Sequence, residues 1–131
     1  MISVDTSVLL RAVVGDDPLQ QGLAARRLAD LERTGETVLV PTVVLAELAW
    51  TLRVTFRLSR SAIADAIERI GNTPPFVVQS RAVVDDALAG YRTGPADFAD
   101  YLILATSLAE GARGLLTFDG NLLKSPRCEA P

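Results

Sequence analysis

Ile2-Ser3-Val4-Asp5-Thr6-Ser7-Val8-Leu9-Leu10 changes its period partway along. β-branched Ile2 and Val4 suit a short buried strand that ends at Asp5. From Thr6 to Val14 the spacing becomes helical and stops at the turn Gly15-Asp16-Asp17-Pro18. The same unit recurs. Val38-Leu39-Val40 leads into a helix from Pro41-Thr42 to about Phe56, and Phe76-Val77-Val78 leads into a helix over Ser80 to Tyr91. Leu115-Leu116-Thr117-Phe118 leads into a helical turn from Asp119 to Lys124. Between these units lie an amphipathic helix from Leu19 to Arg33, a helix capped by Ser59 that runs to Ile70, and a helix from about Ala96 to Glu110. Strands alternating with helices predict an α/β chain, a three-layer α/β/α domain around a central, mainly parallel sheet.

The 131 residues suit one domain spanning 1–131 with one active site. No apolar run reaches the ~18 residues of a membrane span, and the first residues carry no secretory pattern, so the expected location is cytoplasmic. A lone cysteine, Cys128, excludes an internal disulfide and a cysteine cage, and the absence of histidine removes triad chemistry and His-ligated zinc. Catalysis must therefore come from carboxylates, hydroxyls, Arg or Lys124. The net charge of −3 is unlike that of a simple electrostatic nucleic-acid binder, although a carboxylate-lined metal site also makes a chain acidic. All the basic residues except Lys124 are Arg, which holds phosphate with a planar fork.

Right-handed crossovers return helix N-termini to the rim where strands end, and ligands of open α/β sheets bind along that rim. Asp5, Glu47, Asp97, Asp100 and Asp119 are all expected near it. Asp5 and Asp119 stand where helix N-caps stand, which alone accounts for an Asp. Glu47 lies among Val43, Val44, Leu45, Ala46, Leu48, Ala49 and Trp50, and Asp100 between Phe98-Ala99 and Tyr101-Leu102-Ile103-Leu104. Burying an unpartnered carboxylate in such surroundings is costly, so both point to function. Asp97 is three residues before Asp100 on the same side of the helix, where it serves either as a cap or in the site. Clustered carboxylates without softer ligands select Mg2+ or Mn2+, and such ions suit phosphodiester hydrolysis.

Four segments in this order resemble the PIN-domain family, and within it the VapC-type toxins of toxin–antitoxin pairs. They are Val4-Asp5-Thr6-Ser7, Val44-Leu45-Ala46-Glu47-Leu48, Ala96-Asp97-Phe98-Ala99-Asp100-Tyr101-Leu102-Ile103 and Leu116-Thr117-Phe118-Asp119. The resemblance covers nearly the whole chain. It implies a PIN-like sheet of four to five strands and an endoribonuclease using Mg2+ or Mn2+ on tRNA or rRNA. Asp5, Glu47, Asp100 and Asp119 become the acidic metal-site positions, Asp97 belongs to a variant Asp-Phe-Ala-Asp motif, and Thr6 and Thr117 are polar helpers. It also implies a VapB-type antitoxin partner and a homodimer. The segment Pro126-Arg127-Cys128-Glu129-Ala130-Pro131 departs from the pattern by lacking an apolar final strand.

The helix over Thr42 to Phe56 and the segment Ser59 to Ile70 are expected to offer an apolar groove to the antitoxin. Arg53, Arg57 and Arg60 are expected to grip RNA phosphates or an acidic partner. Three other readings stand beside the nuclease. A catalytically degenerate module binding RNA or protein would keep the same fold. A dehalogenase-like phosphatase also begins strand-Asp, but it requires a second Asp where this chain has Ser7. A receiver domain would end its central strand on an Asp, which Phe76-Val77-Val78 does not.

Overall fold

A computed structural model describes all 131 residues. In chain order the elements are β1 (Ile2–Ser3), α1 (Thr6–Val13), α2 (Pro18–Arg33), β2 (Val38–Val40), α3 (Thr42–Val54) and α4 (Arg60–Gly71). They continue with β3 (Phe76–Val78), α5 (Arg81–Thr93), α6 (Phe98–Ala109), β4 (Leu115–Leu116), a 3-10 turn at Leu122–Lys124 and β5 (Cys128–Glu129). Every strand pairing is parallel, in keeping with the expected α/β class. The sheet is nevertheless divided: β1-β2-β3 form one sheet, and β4-β5 a separate pair. Ile2 stands opposite Val38, which stands opposite Phe76, while Leu115 stands opposite Cys128. The C-terminal segment, which carries no apolar strand signal, thus forms a fifth strand.

Local chemistry sets the helix starts. Asp5 caps α1, Asp17 caps α2 with Pro18 at its first position, and Ser59 caps α4. Leu45, Leu48 and Leu52 on α3 pack with Ile63 and Ile67 on α4 and with Leu9 on α1 in one apolar cluster. Tyr91 at the end of α5 meets Phe98 at the start of α6 edge to face, with centroids 6.0 Å apart. That contact sets where α6, with Asp100 in its first turn, begins.

Gly94, between α5 and α6, has a steric purpose. A Cβ there would overlap the Tyr101 hydroxyl and lie 2.9 Å from the ring carbon that carries it. The Tyr101 hydroxyl in turn accepts the buried Ala96 N–H at 3.2 Å. The approach to α6 is therefore shaped by one glycine and one tyrosine.

No helix is long and apolar enough to cross a membrane. The expected groove between α3 and α4 is not formed. On α4 the residues Ile63, Ala66, Ile67 and Ile70 are all turned into the core, so only α3 carries exposed apolar surface, at Val43, Trp50 and Val54.

Candidate active site

Asp100 is the most constrained of the acidic residues. Its carboxylate accepts the Asp97 N–H at 3.0 Å, which ties the side chain back over the first turn of α6. Burial pushes its pKa up from the usual carboxylate value, and the negative charges of Asp119 and Asp97 push the same way. The Asp97 N–H and the Arg53 guanidinium work against this rise. The Asp97 carboxylate lies 3.3 Å from the Arg53 guanidinium in a half-exposed ion pair. Asp97 therefore contributes its backbone N–H to Asp100 and its charge to Arg53.

Asp119 is exposed and rigidly held. Its Oδ1 accepts the N–H groups of Asn121 and Leu122 at 2.8 and 3.1 Å. Its own N–H donates to Thr117 Oγ1 at 3.0 Å. The negative charge of Asp119 is one of the causes that raise the Asp100 pKa.

Asp5 and Glu47 are not among the charges that shift the Asp100 pKa. Asp5 Oδ1 accepts Ser7 Oγ at 2.6 Å, Ser7 N–H at 3.0 Å and Val8 N–H at 3.4 Å. The Ser7 hydroxyl, followed by the Val8 N–H, holds the Asp5 pKa below its usual value. Thr6, expected as the helper beside Asp5, is buried in the first turn of α1 instead, and the neighbouring Ser7 takes the part. The argument that Glu47 must be buried fails. Its side of α3 also carries Val43, 69% exposed, and Trp50, 56% exposed, so its apolar neighbours are themselves in water. No three acidic side chains approach closely enough to form a cage around one ion.

The three arginines separate sharply. Arg53 is paired with Asp97 at the edge of the site. Arg60 is not free for phosphate: its Nη2 donates to the carbonyls of Tyr91, Gly94 and Ala96 at 2.8, 2.6 and 2.8 Å. Its guanidinium also lies over the Tyr91 ring, 4.2 Å from the centroid. It thus ties α4 to the chain entering α6. Arg57 stands exposed at a positive φ of 54°. Of the three it alone has neither a side-chain hydrogen bond nor an ion pair.

A cavity of about 260 Å3 opens between α3 and the start of α6, lined by Trp50, Arg53, Asp97 and Asp100 among others. It joins a half-buried acid, a paired Arg and an exposed aromatic.

The PIN domain family model matches residues 2–126, and the chain belongs to that family. Among characterised proteins it is similar to a VapC ribonuclease of Aquifex aeolicus (strain VF5), 25% identical over 115 residues, or 88% of this chain and 84% of that protein. Among solved structures it is similar to the Mycobacterium tuberculosis toxin VapC20, described as cleaving the sarcin–ricin loop. That similarity has 20% identity, a TM-score of 0.44, and coverage of 97% of this chain and 96% of that one.

Proposed function

We propose that this chain is a metal-dependent endoribonuclease of the VapC type, the toxin of a toxin–antitoxin pair, acting on tRNA or rRNA. Family membership and the VapC ribonuclease relative support the activity class. The observation that carries the metal reading is Asp100, half-buried with the like charges of Asp119 and Asp97 upon it. Like charges acting on a half-buried carboxylate are relieved by a cation. Mg2+ keeps several waters and needs only one or two carboxylates, so Asp100 and Asp119 suit it although no three-acid cage exists. Bound there, Mg2+ or Mn2+ would supply an activated water and neutralise charge on the phosphodiester.

The protein's own groups have separate tasks in this reading. The Asp97 N–H orients Asp100, and the turn from Thr117 to Leu122 orients Asp119. Arg53, drawn to Asp97, stands where it can exchange that partner for a substrate phosphate. Asp5 and Glu47 complete the proposed acidic set by resemblance, Asp5 with its charge preserved by Ser7. A VapB-type antitoxin and a second copy of the chain are the proposed partners, and the chain is proposed to work in the cytoplasm as a single domain.

The test is cleavage of end-labelled RNA with Mn2+, with Mg2+ and in excess EDTA, for the wild type, Asp100→Asn and Asp97→Asn. Asn at 100 can still accept the Asp97 N–H, so the fold should hold while cleavage disappears, and the melting temperature of the metal-free chain should not fall. Asp97→Asn should retain part of the activity. Full-rate cleavage in EDTA overturns the metal reading. A dead Asp97→Asn beside an active Asp100→Asn reverses the two roles, and RNA binding without cleavage leaves a binding module.

A further inference from the structure

One face of α3 stands in water along nearly its whole length. Val43, Glu47, Trp50 and Val54 are exposed there, whereas Leu45, Leu48, Ala49 and Leu52 are buried. At about 100° per residue the four exposed positions fall within roughly 60° of one another and make a single stripe. Single exposed apolar residues are commonplace, but three aligned on one helix form a patch.

This stripe is complementary to itself when reversed. Its steps are four, three and four residues, so an antiparallel copy laid against it matches position for position: Val43 meets the partner's Val54, and Glu47 meets the partner's Trp50. Each pair then occurs twice, as a twofold interface requires. Alternating steps of three and four also suit two helices packed side by side. The polar pair is matched in chemistry. The Glu47 carboxylate has no ion pair or hydrogen bond in its own chain, where only its main-chain carbonyl is used, by the Thr51 hydroxyl. The Trp50 indole N–H, which can only donate, has no acceptor.

The exposed area agrees with a face that is covered in solution. A folded monomer of 14.0 kDa exposes roughly 6,700 Å2, whereas this chain exposes 7468 Å2. The difference, about 800 Å2, is what one partner gives to a standard interface. Ile103 widens the patch beyond α3: it follows Ala99 and Asp100 by one turn on the face of α6 that shares a cavity with Trp50, and it too is exposed. We propose that two copies of this chain pair through antiparallel α3 helices, with Val43 on the partner's Val54 and Glu47 accepting the indole N–H of the partner's Trp50, a proposal that rests on the ribonuclease reading for its choice of a second copy as partner. Trp50 also lines the cavity of Asp97 and Asp100, so the pairing would open the two candidate sites beside one another.

Trp50 is the sole tryptophan, so its emission reports directly on the interface. The full chain, in EDTA and without RNA, is followed by sedimentation and by Trp50 emission over a dilution series. Concentrated protein should sediment at twice the 14.0 kDa chain mass, and the emission should move to longer wavelength as dilution returns the ring to water. Val43→Lys and Val54→Glu should each weaken the dimer at least about 30-fold, since the twofold axis buries each unpaired charge twice. Both positions are exposed in the single chain, so melting temperatures at high dilution should match the wild type. Mixing the two variants should restore a dimer, because the antiparallel register sets the new ammonium of one against the new carboxylate of the other.

A chain that stays monomeric at high concentration overturns the pairing. A dimer that survives both substitutions, or variants that do not combine on mixing, put the twofold axis elsewhere and overturn it too. So does a wild-type dimer whose Trp50 emission is unmoved by dilution, whether or not the variants fold. If the wild type cuts RNA with Mn2+ as a monomer, the nuclease reading stands and the pairing fails. If it dimerises in this register but never cuts RNA, the pairing stands and the nuclease reading fails.

Discussion

Replacing Arg60 by Met keeps most of the aliphatic stem and removes the guanidinium. Its Nη2 carries two hydrogens shared among the carbonyls of Tyr91, Gly94 and Ala96, so two full hydrogen bonds are lost there rather than three, together with a long, weak one of 3.4 Å from Nη1 to the Pro95 carbonyl. A hydrogen bond involving a charged group contributes about 1.5–3 kcal/mol. The site is only partly buried and water can reach it, so the lower end applies, and the two together contribute about 3 kcal/mol. The contact with the Tyr91 ring adds roughly 0.5 kcal/mol. For a chain of this size a loss of about 3 kcal/mol lowers the melting temperature by roughly 10 °C. Urea titration should show a lower midpoint with an unchanged slope, since the surface exposed on unfolding stays similar. Arg60→Lys should recover only part of the loss, because one ammonium cannot reproduce the planar fork. The carbonyls in question precede Asp97, so RNA cleavage should fall as well. An Arg60→Met protein within about 1 kcal/mol of wild type would refute the reasoning, since an ordinary surface substitution stays within about half of that.

At Asp5, capping and charge can be separated. Asn caps a helix as well as Asp, so Asp5→Asn should melt near wild type, whereas Asp5→Ala should lose about 1 kcal/mol by urea titration. Because the Asp5 pKa is lowered in the folded chain, the stability due to its charge is present above the unfolded value of 3.8 and is lost as pH falls through the folded one. Asp5→Asn should flatten that part of the acid titration. If it also abolishes RNA cleavage, Asp5 belongs to the site; full activity would leave it a cap alone. Gly94→Ala places a methyl group on the Tyr101 hydroxyl and should cost about 1–3 kcal/mol, as overpacking does. Tyr101→Phe in the same chain should relieve the overlap but leave the Ala96 N–H without its acceptor, so thermal melts of the single and double variants should be non-additive.

The strand-helix alternation was legible because β2 and β3 are bounded by turn residues and, Leu39 apart, filled with β-branched or aromatic side chains. β5 was not. Cys128 and Glu129 carry no strand pattern, and the strand forms because Leu115 and Thr117 donate to the carbonyls of Arg127 and Glu129. The unusual state of Asp100 was readable from its large apolar neighbours, which do bury it in part. The same argument misled at Glu47, because it treats every apolar residue as facing inward, and one side of α3 keeps Val43, Trp50 and Val54 in water. Arg60 was unreadable for another reason. Its partners are main-chain carbonyls more than thirty residues away, and carbonyls carry no residue-type signal.

The division of the sheet has a thermodynamic consequence. Asp100 sits on a helix packed closely against α5, whereas Asp119 follows a two-residue strand whose only sheet partner is β5. Segments held by few contacts open at lower free energy than the core. The amides of Leu115 and Thr117, bonded to Arg127 and Glu129, should therefore exchange with solvent sooner than those of the β2 strand. A ligand that bridges the two carboxylates must draw the C-terminal unit and the helical body into one cooperative whole. By mass action it would then slow exchange at those amides in proportion to how tightly it binds.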